Sequence, residues 1–373
     1  MKNLGIYIHI PFCKKKCDYC DFISYSNKNQ YMEKYVEALC RDIRFSAEKA
    51  KQYGINTIYF GGGTPSFINE NYINKILLEI RNNYNILENC EITIEVNPGT
   101  VIREKLQIYK NIGINRISIG LQSVQNRLLE LIGRVHNYDE FLQTYNMARE
   151  TGFKNINVDL MLALPTQTIE ELEESLKNVI SLNPEHISIY SLILEEGTKL
   201  ERKINNGELN LIDEDLERKM YWKTKKMLEK AGYNHYEISN FAKPNLESQH
   251  NLNCWKQEEY LGFGVAAHSY FNNERFSKTE DLEEYIENVN NIVVEEKQDR
   301  EMKAKEYMLL GLRKIEGVSI SEFERKFEIN PLFYFRFEIS KLEEKGLLEV
   351  DLDDIKLTEL GLDLANQVFE EFI

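Results

Sequence analysis

The 373-residue chain has little of what marks a secreted, membrane-spanning or nucleic-acid-binding protein. No apolar stretch approaches the roughly 20 residues that cross a bilayer as a helix; the run 4–12 is broken by His9 and Pro11. Only Lys2 precedes that run, and cysteines follow it where a secretory leader would carry a small-residue cleavage site. Basic residues are outnumbered, 46 Lys and Arg against 61 Asp and Glu, for a net charge of −15. Such a balance disfavours non-specific binding to phosphate backbones and to anionic membrane surfaces. No internal repeat or low-complexity linker is visible. The expectation is a cytoplasmic protein with no integral membrane segment and no nucleic acid partner. In that reducing compartment, clustered cysteines imply a metal or catalysis rather than disulfides.

What is present is an alternation. Short apolar runs at 5–10, 56–60, 91–96, 116–121, 155–162 and 186–192 are separated by amphipathic stretches at 30–52, 71–84, 103–111, 139–151 and 169–182. Tyr31, Tyr35, Val36, Leu39 and Ile43 recur at helical spacing. Such units predict an α/β fold whose parallel sheet has right-handed crossovers, either curled as a partial TIM-like (β/α)6 barrel or open and doubly wound. Cys13–Cys20, Gly61–Gly63, Glu95, Gln122, Asp159 and Ser191 all fall late in, or just after, the predicted strands. A barrel gathers those ends on one face, whereas an open sheet concentrates them at one switch point. The curled form is therefore expected for residues 1–195.

Residues 196–298 read as an irregular extension, with a helix at 214–231 and short strands around 233–238. Residues 299–373 read as a small separate domain. Helical patterns at 301–312, 320–327 and 331–345 precede two short strands, 347–350 and 355–357, and a last helix. That order resembles a winged helix. Residues 300–373 hold eleven Lys and Arg against seventeen Asp and Glu, net −6, which argues against DNA binding by this unit.

Cys13, Cys17 and Cys20 place three thiols within eight residues, directly after a predicted strand. Thiolates are the usual ligands of iron–sulfur clusters, and three of them leave one iron open to a small molecule. A zinc site or unrelated thiols are the alternatives, although zinc usually shows paired Cys-x-x-Cys units with a fourth ligand. Cys40 and Cys90 read as small buried hydrophobes.

The spacing C-x3-C-x2-C, with Tyr19 before the last cysteine, is similar to the signature of the radical S-adenosylmethionine (SAM) superfamily. The longer string from Tyr7 through Cys13 to Cys20-Asp-Phe22 resembles that superfamily's coproporphyrinogen-dehydrogenase and heme-chaperone branch. The resemblance covers essentially the whole chain and implies a [4Fe–4S] cluster on the three cysteines. It also implies SAM contacts from Gly62, Gly63 and Thr64, which follow the second strand, and from Glu95. Gln122, Arg134 and Asp159 match positions associated with a second SAM or its pocket, and Tyr7 and Tyr19 match further contacts. Glycines there are expected to let backbone N–H groups form an anion-binding concavity. Asp159, within an apolar run, must have a partner, either a ligand or an arginine.

Phe22 stands where the decarboxylating enzymes carry a further cysteine, and the lead before Cys13 is short. Both features match the HemW-type heme chaperones. His250-Asn-Leu-Asn-Cys-Trp255 resembles their H-N-x-x-Y-W motif, with Cys254 in place of the aromatic residue. Imidazole and thiolate both ligate heme iron, so His250 or Cys254 is a candidate axial ligand, with Trp255 stacking on the porphyrin. His268 is a further candidate, and His9 reads as structural. The resemblance implies heme as cargo and heme-recipient proteins such as respiratory enzymes as partners. The alternative is an enzyme that oxidatively decarboxylates the propionates of coproporphyrinogen III to vinyls; no catalytic residue is assigned for it.

Overall fold

The six apolar runs become strands because nearly every position in them is buried, as in parallel strands covered on both faces. In the computed structural model, which describes residues 1–373, they are β1 (Lys2–Ile10), β2 (Tyr53–Gly62), β3 (Ile86–Val96), β4 (Arg116–Gln122), β5 (Ile156–Leu162) and β6 (His186–Ser191). Each pairs in parallel with the next, in chain order. The crossovers carry α1 (Met32–Ala47), α2 (Glu70–Asn83), α3 (Arg103–Asn111), α4 (Asn126–Leu131), α5 (Tyr138–Glu150) and α6 (Ile169–Leu182). In α1, Tyr35, Val36, Leu39 and Ile43 are all buried, so the period of the sequence becomes the face that covers the sheet. Capping boxes fix two helix starts, Asn137 with Glu140 and Thr168 with Glu171. The sequence reading lacks α4, whose six residues are too few to show a period.

Residues 196–298 differ from the expected irregular segment. They lengthen the sheet at both edges. β7 (Asn234–Glu237) and β8 (Asn240–Ala242) add antiparallel beyond β6, while β9 (Tyr260–Phe263) runs parallel to β1. β10 (His268–Phe271), β11 (Glu274–Lys278) and β12 (Ile292–Lys297) follow antiparallel. The product is one twelve-stranded sheet in the order β12-β11-β10-β9-β1-β2-β3-β4-β5-β6-β8-β7. A buried ion pair ties the new strands to α1: Lys278 Nζ lies 2.7 Å from Asp42 Oδ1, and the Tyr285 hydroxyl donates to Asp42 Oδ2 at 2.8 Å.

A second hydrophobic core of 16 buried residues, from Ala304 to Phe372, lies apart from the 60-residue core of the sheet. Its helices Arg300–Gly311, Ile320–Phe327 and Arg336–Glu344 accompany β13 (Val318–Ser319), β14 (Leu348–Val350) and β15 (Asp354–Leu357), ordered β13-β15-β14. That is the order of a winged helix, with β13 added to the two strands read from sequence. Arg313 joins the two cores, with its guanidinium 4.5 Å above the Trp255 ring and 3.3 Å from Glu237 Oε1.

Candidate functional site

The ends of β1 to β6 open on one cavity of about 470 Å³, lined among others by Cys13, Gly63, Glu95, Gln122, Asp159 and Ser191. The cysteine loop after the first strand and the end of the sixth share it, so the six-stranded part of the sheet curls, and the expectation of a partial barrel agrees with this geometry. The volume lies in the range of small-molecule sites, roughly 300–1,000 Å³.

All three motif cysteines line this cavity. Thiolates are the usual ligands of iron–sulfur clusters, in which they sit on different irons. The loop is closed at its base, where the Tyr25 N–H donates to Pro11 O at 2.6 Å and the Cys13 N–H to Tyr25 O at 3.0 Å. Thr64 Oγ1 donates to Cys13 Sγ at 3.4 Å, and Arg134 Nη1 to Cys17 Sγ at 3.6 Å. Burial pushes the Cys13 thiol up and that of Cys20 to about 11, so both need a bound cation to persist as thiolates. These residues fit an iron–sulfur cluster.

The glycine loop Gly61–Gly63 lies at the end of β2, at the cavity. The Gly63 N–H donates to Ile10 O at 2.9 Å and the Thr64 N–H to Phe12 O at 3.0 Å. Two amides of the loop, those of Gly63 and Thr64, are thus taken by backbone carbonyls. The glycines are needed for close approach. A Cβ on Gly63 would stand 2.9 Å from Cys13 Sγ, and one on Gly62, at φ +110°, 2.6 Å from the His9 ring. The loop is thus pressed onto the cysteine loop. Gly62, Gly63 and Thr64 all face the cavity.

Glu95 accepts a bond from the Tyr59 hydroxyl at 2.9 Å. Burial, and then the nearby Asp159, push its carboxyl up to about 8. Asp159 is also pushed up by burial, and its direct donors are neutral: Ser118 Oγ at 3.0 Å and Asn157 Nδ2 at 2.7 Å. Its protein partners are therefore hydroxyl and amide groups rather than an arginine ion pair. Gln122 sits at a register shift in β4 with φ 72°, which turns its side chain into the cavity. Arg134 and Tyr19 line the same wall.

Asn97 has no place in the sequence reading. Its Nδ2 donates to Thr64 Oγ1 at 3.0 Å and its Oδ1 accepts from Arg134 Nη2 at 2.6 Å, so it orients both sulfur donors. The available signal was its position two residues after Glu95, on the same face of the chain. Asp18 was missed as well: it receives Lys203 Nζ at 2.7 Å and anchors the middle of the cysteine loop.

Other named residues lie elsewhere. Tyr7 is below the cavity, bonded to His9 Nδ1 at 3.1 Å, and His9 Nε2 reaches Ile23 O at 2.9 Å. His250 and Trp255 stand on the helix Gln249–Trp255, outside the cavity lining. The His250 ring is buried, bonded through Nδ1 to Thr57 Oγ1 at 2.9 Å and stacked on Tyr59. Burial, assisted by Arg116, holds it neutral by lowering its pKa to about 4. Trp255 packs under Arg313. Cys254 is partly buried, and burial pushes its thiol up to about 11. His268 is exposed on β10, 3.1 Å from Glu295.

Comparison with known proteins agrees with this geometry. Residues 7–179 match the Radical SAM superfamily, and residues 298–364 match the HemN C-terminal domain. The chain is 38% identical to the heme chaperone HemW of Bacillus subtilis, covering 98% of both chains. It is 36% identical to HemW of Lactococcus lactis, covering 100% of this chain and 98% of that one. The structure of coproporphyrinogen III oxidase (HemN) from Escherichia coli, a radical SAM enzyme, superposes with a TM-score of 0.87. Identity there is 25%, over 100% of this chain and 90% of that one. A cysteine loop, a glycine loop and buried carboxylates around one strand-end cavity, with similarity to these proteins over nearly the full length, place the chain in the HemW family of the radical SAM superfamily.

Proposed function

We propose that the protein binds heme and delivers it to recipient proteins such as respiratory enzymes, using a cluster on Cys13, Cys17 and Cys20 and SAM in the adjoining cavity. The observation that carries this reading is the 38% identity, over 98% of both chains, to a protein named a heme chaperone. Phe22 supports it: the side chain is 62% exposed at the rim of the cavity, where the decarboxylating branch has a further cysteine. When bound, the cluster supplies electrons and an open iron for SAM. Gly62, Gly63, Thr64 and Glu95 then hold SAM, with Gln122, Arg134 and Asp159 along the wall. The SAM ammonium, which only donates, needs acceptors there, and the Glu95 carboxylate is one.

For heme, His250 remains the first candidate axial ligand, reached by displacing its helix from β2. His268 requires no such displacement. Absorption spectra of hemin titrated into the full chain test the reading, with about one heme bound per chain expected. His250→Ala shifts the Soret band if His250 ligates iron, Cys254→Ser if the thiolate does, and His268→Ala if the exposed imidazole does. Formation of protoporphyrinogen from coproporphyrinogen III, with SAM and reductant, would overturn the chaperone reading in favour of the enzyme.

A further inference from the structure

One aromatic ring touches both halves of this machinery. Tyr59, on β2, donates its hydroxyl to Glu95 Oε1 at 2.9 Å, and its ring stacks on the His250 imidazole with centroids 5.1 Å apart and planes at 27°. Glu95 faces the cavity; His250 does not. We propose that Tyr59 is a positioning residue that ties the Glu95 carboxylate to the His250 imidazole, so that SAM affinity depends on whatever engages His250. The inference rests on the reading that Glu95 binds SAM.

The surroundings leave this contact little freedom. Thr57 and Tyr59 are two residues apart on one strand face, and they hold the imidazole by its Nδ1 and by its flat side. The helix that carries His250 is pinned as well: the backbone N–H groups of Gln249 and His250 donate to the Glu91 carboxylate at 3.2 and 3.1 Å. On the other side, Gly61 keeps open the slot in which the tyrosine meets the carboxylate. A Cβ there would lie 2.9 Å from Tyr59 Cε1 and 3.2 Å from Glu95 Oε1. Displacing the imidazole removes the support under the Tyr59 ring, and the hydroxyl then no longer fixes Glu95. Tyr59 itself lines the cavity, so its ring joins the imidazole on one side to the cavity wall on the other.

Calorimetry of SAM binding to the anaerobically reconstituted full chain tests this, with iron content and thermal melting recorded for each variant. Tyr59→Phe should weaken SAM by roughly ten-fold, the usual effect of losing a hydrogen bond to a charged group. His250→Gln should weaken it by about three-fold or more without touching the cavity. In the double variant the two losses should not add, because they act through one contact. His250→Phe, which keeps a ring beneath Tyr59, should restore most of the affinity; a loss that came from the Thr57 bond would not be rescued in this way. Unchanged affinity in Tyr59→Phe, or additive losses in the double variant, overturns the proposal. If Glu95→Gln itself leaves SAM binding intact, the SAM reading of Glu95 fails instead.

Discussion

At the scale of single residues, chemistry was most legible where it repeats a fixed spacing. Three cysteines in eight residues point to a cluster or a zinc site, and the full motif to the cluster, whereas Asn97, Asp18 and Tyr59 are one-residue contributions with no pattern to betray them. The cluster assignment predicts about four irons and four sulfides per chain after anaerobic reconstitution. Replacing Cys13, Cys17 or Cys20 with Ala should abolish the visible absorption, and stoichiometric zinc in anaerobically purified protein would refute it. Glu95 makes a sharper prediction. Its carboxyl is held up at about 8, so at pH 7 the folded site keeps a proton that an exposed glutamate has lost. A cationic SAM favours the carboxylate, so binding at pH 7 should expel a proton. Calorimetry in buffers of different ionisation enthalpy reads that release, and Glu95→Gln should eliminate it. The same shift makes folding of the SAM-free protein pH-dependent. The stability contributed by Glu95 is full below 4.5, its unshifted value, and is lost as pH rises through about 8. Urea denaturation should show a flatter pH profile for Glu95→Gln.

At the scale of elements, β1 to β6 could be read because burial on both faces writes a continuous apolar run into each. β11 and β12 could not, because β11 is only partly buried at four of its five positions and β12 exposes four of its six. Their attachment was invisible for another reason: it depends on Lys278 meeting Asp42, a pair separated by 236 residues. Removing one member leaves a buried charge without its partner, which typically costs about 3–5 kcal/mol. Lys278→Met should therefore lower stability by about that amount in urea denaturation. The double change Asp42→Leu with Lys278→Met should recover much of the loss, since an apolar pair needs no compensation. Equal loss in the single and double variants would show that packing, not charge, holds these strands.

At the scale of the whole molecule, two separate cores predict two cooperative units. Hydrogen exchange should show residues 300–373 opening at a lower free energy than β1 to β6, because the smaller core buries far fewer side chains. Identical protection in both would mean that the contacts of Arg313 fuse them into one unit. The pairing of β1 with β9 has a consequence for how the chain is made. Gly5 pairs with Tyr260, so the outer edge of the first strand waits for residues far downstream, and Asp42 waits 236 residues for its lysine. At about 5–20 residues per second, that wait is roughly 10–50 s on the ribosome. During this time the nascent protein exposes an unpaired strand edge and a carboxylate without its cation. A holding chaperone or a slowly translated stretch would act most usefully before residue 260 emerges.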